Sequence, residues 1–238
     1  MKRYWIYSLV LTAVAFAATL ARYSRLPEQM PTHWNMSGQA DAWGDKSWAA
    51  FLAPMIMLGT VILGFVLRWV SPRNFEVDRF GPTYAYVLFT IVVFAGYMQA
   101  ITLWATLGQV QVDRAIVGGV LVLFTLLGNV MGKLKRNFWM GIRTPWTLAD
   151  EQVWNQTHRM GAKVYVATGL SGLVLLAAGV SSGFLMVWLL VGAMAPVPYS
   201  LWLSKKGSGS GWTGTLALTA AVLALAVFLG GITYFSMP

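Results

Sequence analysis

Long apolar stretches broken by short polar ones set the rhythm of this chain. Seven apolar stretches stand out, at about 4–21, 49–70, 83–107, 115–131, 162–180, 184–203 and 213–235. A helix crosses the roughly 30 Å of bilayer hydrocarbon with about 20 apolar residues. Backbone groups in that medium have no water to bond, so each stretch is expected to be helical. None alternates with the period of two that a membrane barrel needs. The pattern predicts an all-α integral membrane protein, a single polytopic domain over residues 1–238 built as a bundle of about seven transmembrane helices.

Composition agrees with the pattern: 57% of residues are hydrophobic, only 11% are charged, and mean hydropathy is +0.61. The cations set an orientation. With Met1 in the cytoplasm, Lys2, Arg3, Arg68, Arg73, Arg79, Lys133, Lys135, Arg136, Arg143, Arg159, Lys163, Lys205 and Lys206 fall inside, and only Arg22, Arg25, Lys46 and Arg114 fall outside. That bias places the N-terminus in the cytoplasm and, with seven spans, the C-terminus outside. It also accounts for most of the +9 net charge without nucleic acid, because anionic membrane lipids neutralise it. The first stretch has a basic start and an Ala15-Phe16-Ala17 site, as a cleaved signal peptide would. The six further stretches favour reading it as the first anchor. The absence of cysteine excludes disulfides and thiolate metal sites.

Two polar segments are too elaborate to be mere connections. The outer one, 22–48, contains LPEQMPTHWNMSGQADAWGDK, in which prolines fix an extended entry and Gly38 and Gly44 permit turns. Its bland reading is a lid over the helix ends, with His33 bonded to backbone. Its functional reading is a recognition surface carried by His33, Asn35, Asp41 and Trp43, seated in the headgroups by Trp34, Trp43 and Trp48. His33 with Asp41 or Asp45 offers a metal too few ligands, without regular spacing, so neither metal nor cofactor is expected.

The inner segment, 128–161, reads GNVMGKLKRNFWMGIRTPWTLADEQVWNQTHRMG. Lys133, Lys135 and Arg136 form a basic cluster suited to anionic headgroups, and Trp139 and Trp146 are expected as interface anchors. Arg143 suits a phosphate or carboxylate, or helix-end carbonyls. Thr147 to Asp150 resembles a capping box, from which a helix is expected to run from Leu148 towards Met160 and on into the fifth span. Glu151 and His158, seven residues apart, share its face without touching, whereas Trp154 and His158, four apart, meet as a stacked pair. The paired Pro196 and Pro198 predict a packed kink in the sixth span.

The outer stretch resembles the motif of the DUF1648 proteins, and the inner one looks like the signature of the SdpI family of bacterial membrane immunity proteins. Asn129, Asn137, Arg143, Pro145, Trp146, Trp154 and His158 carry the second resemblance. It implies a multi-pass protein of the bacterial cytoplasmic membrane that protects its host against a secreted killing peptide. In the family's best-known member, the immunity protein also holds a small helix-turn-helix repressor at the membrane once toxin is bound. Carried over, the loop 22–48 would face a peptide toxin, and Asn137, Arg143, Trp146, Glu151 and His158 would belong to a cytoplasmic surface open to a repressor. The family predominantly has fewer than seven spans, so the stretch 213–235 is a departure.

The leading expectation is therefore a receptor or immunity protein that binds a peptide without catalysis. A membrane-embedded metal-dependent hydrolase is the alternative, and it requires the two polar motifs to converge. No His-Glu-x-x-His or Gly-x-Ser-x-Gly pattern supports it. A small-solute transporter would need ionisable residues at the midplane, and the spans hold almost none.

Overall fold

The computed structural model describes residues 1–35, 37–106 and 112–206. Its long helices are α1 (Lys2–Arg22), α3 (Leu52–Val70), α4 (Gly81–Ala105), α5 (Val112–Met131) and α7 (Glu151–Ala177), with α8 (Ser182–Met194) and α9 (Pro196–Lys206) forming one broken span. Six helical spans among the described residues are long and apolar enough to cross a membrane. They match the first six apolar stretches. The seventh, 213–235, and the linker preceding it lie outside the described residues.

The helices are packed for a lipid solvent. On α1 the buried positions are Trp5, Ser8, Thr12, Ala15 and Thr19, a three-then-four spacing in which small and hydroxylated residues face inward. Thr12 and Thr19 donate to the carbonyls of Ser8 and Ala15, so both threonine hydroxyls are paired within the helix. Ile6, Leu9, Val10, Val14 and Leu20 point out, where in water they would be a liability. Close approach of α5 and α7 depends on glycine: a Cβ on Gly169 would fall 2.2 Å from the Thr125 hydroxyl, and one on Gly172 would fall 2.2 Å from Leu121 Cδ2.

The sixth span breaks at Ala195, between Met194 and Pro196. Pro196 and Pro198 are both buried, and the Tyr165 hydroxyl donates to the Ala193 carbonyl at 3.3 Å beside the break. The prolines thus make a packed kink, with a neighbouring helix supplying a donor to the interrupted ladder.

The segment after α1 is more regular than the expected extended entry with turns. It forms an antiparallel hairpin of β1 (Gln29–Trp34) and β2 (Ala40–Asp45), followed by the single turn α2 (Lys46–Ala49). The hairpin lies at the end of the bundle where α1 finishes and α3 begins. The segment between α5 and α7, containing the short α6 (Pro145–Ala149), lies at the other end. A helix as long as the 21-residue α1 separates the two ends by about 30 Å.

Candidate functional site

At the hairpin end, the strands are fastened by their apolar root. Leu26 and fully buried Met30 pack with Ala49, Ala50 and Leu103, covering the ends of α3 and α4. Beneath them the buried Gln99 amide donates to the Thr19 hydroxyl (2.8 Å) and the Ala50 carbonyl (2.9 Å), joining three elements. Lys46 donates to Glu28 (2.7 Å) and lies over the Tyr23 ring. Gln29 donates to Asp45 across the base of the strands.

The turn is built by Asn35, whose carboxamide oxygen accepts the amides of Ser37 and Gln39, each at 3.0 Å. Gly38 has φ +73°, and a Cβ there would meet the Asp113 amide at 3.0 Å. The hairpin tip therefore rests on the start of α5. Asp113 also accepts from Ser182 of α8 at 2.7 Å, which draws a third element to the same point.

The sequence expectations for this end divide cleanly. The lid is present, but His33 bonds the Asp41 carboxylate at 2.5 Å rather than backbone. That pair is open to solvent, with side-chain exposures of 67% and 43%. Trp43 and Trp48 are exposed, while Trp34 is half-buried. Asn35 is a turn-former with both acceptor bonds committed to the chain's own backbone. Among the described residues, no three histidine or carboxylate side chains gather around a point where a metal could sit.

At the opposite end, the chain between α5 and α7 is knotted by side chains. Asn137 is fully buried and makes four bonds: its Nδ2 donates to the Lys135 (2.8 Å) and Met140 (3.1 Å) carbonyls, and its Oδ1 accepts the Trp139 (2.8 Å) and Met140 (2.9 Å) amides. Trp139 Nε1 donates to Ser71, and Phe138 packs on Phe75 with centroids 4.2 Å apart. These contacts clamp the segment to the loop between α3 and α4.

The helix starts differ from the expected capping box. Thr144 is the N-cap of α6, with Pro145 at its first position and Thr147 completing the reciprocal pair. Asp150 caps the next helix, its carboxylate accepting the Gln152 (2.6 Å) and Val153 (3.1 Å) amides. The helix expected from Leu148 therefore begins at Glu151 and runs unbroken through the fifth span, because two caps, Thr144 and Asp150, stand six residues apart where the sequence suggests one.

His158 is buried and stacked on Trp154, with centroids 4.0 Å apart, as their spacing suggested. Its Nε2 accepts the Ile142 amide at 3.0 Å, and its Nδ1 lies 2.8 Å from the Trp154 carbonyl. Only the neutral ring with its proton on Nδ1 satisfies both contacts, since a carbonyl can only accept and an amide can only donate. Gly141, at φ +105°, leaves the ring its space: a Cβ there would fall 2.3 Å from Nε2. The histidine is thus a three-point staple across 141–158.

Trp146 donates to Ser200 at 2.7 Å and Trp154 to the Leu134 carbonyl at 2.9 Å. Trp139 and Trp146, expected as headgroup anchors, turn their indole N–H groups into the protein. Arg136 leaves the expected surface cluster, donating to the carbonyls of Leu148 and Ala149 at the end of α6. Exposed Arg143 donates to the Phe138 carbonyl, a loop group rather than a helix end. Glu151 is exposed in the first turn of α7, whereas His158 is buried two turns on. The two histidines belong to opposite ends of the bundle and cannot ligate one ion, so the convergence a shared metal centre would need is not present.

A domain of unknown function, DUF1648, matches residues 10–58, covering most of α1, the hairpin and the start of α3. The SdpI/YfhL protein family matches residues 133–200, from the Asn137 knot to the kink beyond Pro196. The chain is 30% identical to Immunity protein SdpI of Bacillus subtilis (strain 168) over 165 residues, which span 69% of this chain and 77% of that protein. The chain belongs to the SdpI family. It is a multi-pass protein of the bacterial cytoplasmic membrane. No solved structure matches it. The SdpI/YfhL match begins just after α5 and takes in each of the five inner candidates, so the family signature coincides with the clamped end of the bundle. Sequence reasoning missed Gly141, Thr144 and Ser200, whose parts appear only when the loop closes. Pro145 at a helix start was the available cue for Thr144.

Proposed function

We propose that this protein is a membrane immunity protein that binds a secreted antimicrobial peptide at the hairpin end, which faces outward, and presents the clamped end to a cytoplasmic repressor. The observation that carries the reading is the hairpin lid. Its root is buried and rigidly fastened, yet His33, Asp41 and Trp43 are left exposed on it. A bare connection between α1 and α3 needs none of these. Similarity to Immunity protein SdpI supports the immunity role. The bias of Lys and Arg towards the other end supports the orientation.

Sequestration of the peptide needs no catalysis. Signalling needs a difference in affinity between two arrangements of the bundle, typically 1–3 kcal/mol. The hairpin tip touches the start of α5, and α5 packs along α7, which carries His158 at its far end. That chain of contacts is the route by which a displaced hairpin would alter the clamped end.

The test is survival of peptide-sensitive bacteria challenged with the family's killing peptide. Cells carry the parent, His33→Ala, Arg143→Ala or empty vector, with membrane amounts matched. Protection by the parent and its loss in His33→Ala is the expected result. Protection retained in His33→Ala would remove the hairpin pair from the binding site, and no protection by a well-expressed parent would overturn the peptide reading. Retained protection in Arg143→Ala would assign the clamped end to signalling or anchoring.

A further inference from the structure

A cleft of about 360 Å³ opens at the clamped end, where α1, α4 and α5 meet. Its lining includes Arg3, Tyr4, Thr83, Tyr86, Asn129 and Lys133, and no carboxylate. Each element contributes at its terminus: Arg3 from the first turn of α1, Thr83 from the first turn of α4, and Asn129 and Lys133 from the end of α5 and just beyond it. All therefore lie at the depth where hydrocarbon gives way to headgroups.

Arg3 is held in place rather than merely present. Its guanidinium lies 5.0 Å from the centre of the Tyr4 ring and donates to the Tyr4 hydroxyl at 3.3 Å. Tyr4 in turn sits edge-on against Tyr86 and tilted against Phe89, each at 5.6 Å. Asn129, Thr83 and Lys133 make no side-chain hydrogen bond or ion pair among the described residues. Two cations, an amide and hydroxyls thus face one cleft whose lining holds no carboxylate to answer them.

General inside bias explains cations near this surface, but not their convergence between three spans on otherwise unpartnered donors. We infer that this cleft binds the phosphate headgroup of an anionic phospholipid, with Arg3 and Lys133 pairing with the phosphodiester and Asn129, Thr83 and Tyr86 donating to it. Basic pockets between transmembrane helices suit such headgroups, and acyl chains can continue along the exposed apolar flanks of α1. The inference does not rest on the immunity reading, and its test uses no peptide.

The experiment is native mass spectrometry of the full chain, delipidated in detergent and titrated with phosphatidylglycerol or with phosphatidylcholine of the same acyl chains. One phosphatidylglycerol is expected to be retained, with about tenfold preference over phosphatidylcholine. The double variant Arg3→Gln with Lys133→Gln should weaken retention about 30-fold, whereas Lys135→Gln, which removes one exposed charge from the same end, should change it less than about twofold. Asn129→Ala alters an exposed residue whose side chain makes no hydrogen bond among the described residues, and should weaken retention about threefold even if the double variant were destabilised. Equal loss in Lys135→Gln would mean diffuse attraction and would overturn the site. Equal binding of phosphatidylcholine would assign the cleft to acyl chains, and displacement by inorganic phosphate would assign it to a free anion; either overturns the inference.

Discussion

Replacing Asn137 by alanine removes four hydrogen bonds from one side chain without touching either helix it lies between. The change leaves the Trp139 and Met140 amides and the Lys135 and Met140 carbonyls without their partners. A fully buried polar group left unpaired costs about 1–3 kcal/mol. Lys135 and Phe138 are exposed, so water can reach part of the opened loop, and the cost per group falls towards about 0.5–1 kcal/mol. Over four groups the turn should lose about 2–4 kcal/mol of local stability. Hydrogen exchange measures that quantity directly, because an amide protected by local closure exchanges in proportion to the open fraction. In detergent, the Trp139 and Met140 amides of Asn137→Ala should exchange about 30- to 800-fold faster than in the parent, with amides inside α4 unchanged. Asn155→Ala, the same truncation on α7, should leave both amides within about threefold of the parent. If Asn137→Ala also stayed within that range, the four-bond knot would not be what holds the segment, and the structural account of the clamped end would fail.

Gly141→Ala should lower the thermal midpoint in detergent markedly, since the new methyl meets His158 Nε2 and the backbone is held at φ +105°. Gly179→Ala shares the positive φ but meets nothing within 4 Å, so it should cost only the backbone strain of about 1 kcal/mol; equal effects would deny the steric role of His158. Gln99→Leu should destabilise the bundle by about 1–2 kcal/mol in a denaturing-detergent titration, because the Ala50 carbonyl loses its donor; an unchanged transition would mean the bridge is dispensable. His33→Ala should leave that transition within about 0.5 kcal/mol, as befits an exposed pair, so a large shift would recast His33 as structural. A chain without cysteine makes orientation easy to read: Ser37→Cys should react with a membrane-impermeant maleimide on spheroplasts and Lys135→Cys only after lysis, and the reverse pattern would invert the topology.

The spans were legible because lipid imposes a length and an apolar run that a single sequence displays. The Trp154–His158 stack was legible for a similar reason, a helical spacing of four. The hairpin was not. Pro31, Gly44 and several small or acidic residues give its strands poor intrinsic β character, and what stabilises them is the burial of Leu26 and Met30 on helix ends far along the chain. The cap was misplaced because Thr144, Thr147 and Asp150 are three good capping residues at equal spacing. Only Pro145, which suits the first position of a helix, breaks the tie. Asn137 stood out by type, yet nothing periodic links it to the backbone groups it gathers. Closed loops are written in contacts rather than in spacing.

This distinction bears on how loss of function at each end should be interpreted. Asn137, Trp146, Trp154 and His158 make the inner segment recognisable, and all four point into the fold, where they bond backbone or Ser200. A variant at any of them perturbs the clamped end first and any partner only through it. The groups a partner protein could touch there are exposed ones such as Lys135, Arg143, Glu151, Gln152 and Gln156, of which Arg143 and Glu151 are sequence candidates. At the hairpin the division is reversed. Leu26, Met30 and Lys46 hold the lid, while His33, Asp41 and Trp43 are presented on it and contribute little to its stability. A hairpin variant that keeps its membrane level but loses protection therefore speaks to recognition. A signature variant speaks to recognition only after its hydrogen exchange has been shown to match the parent.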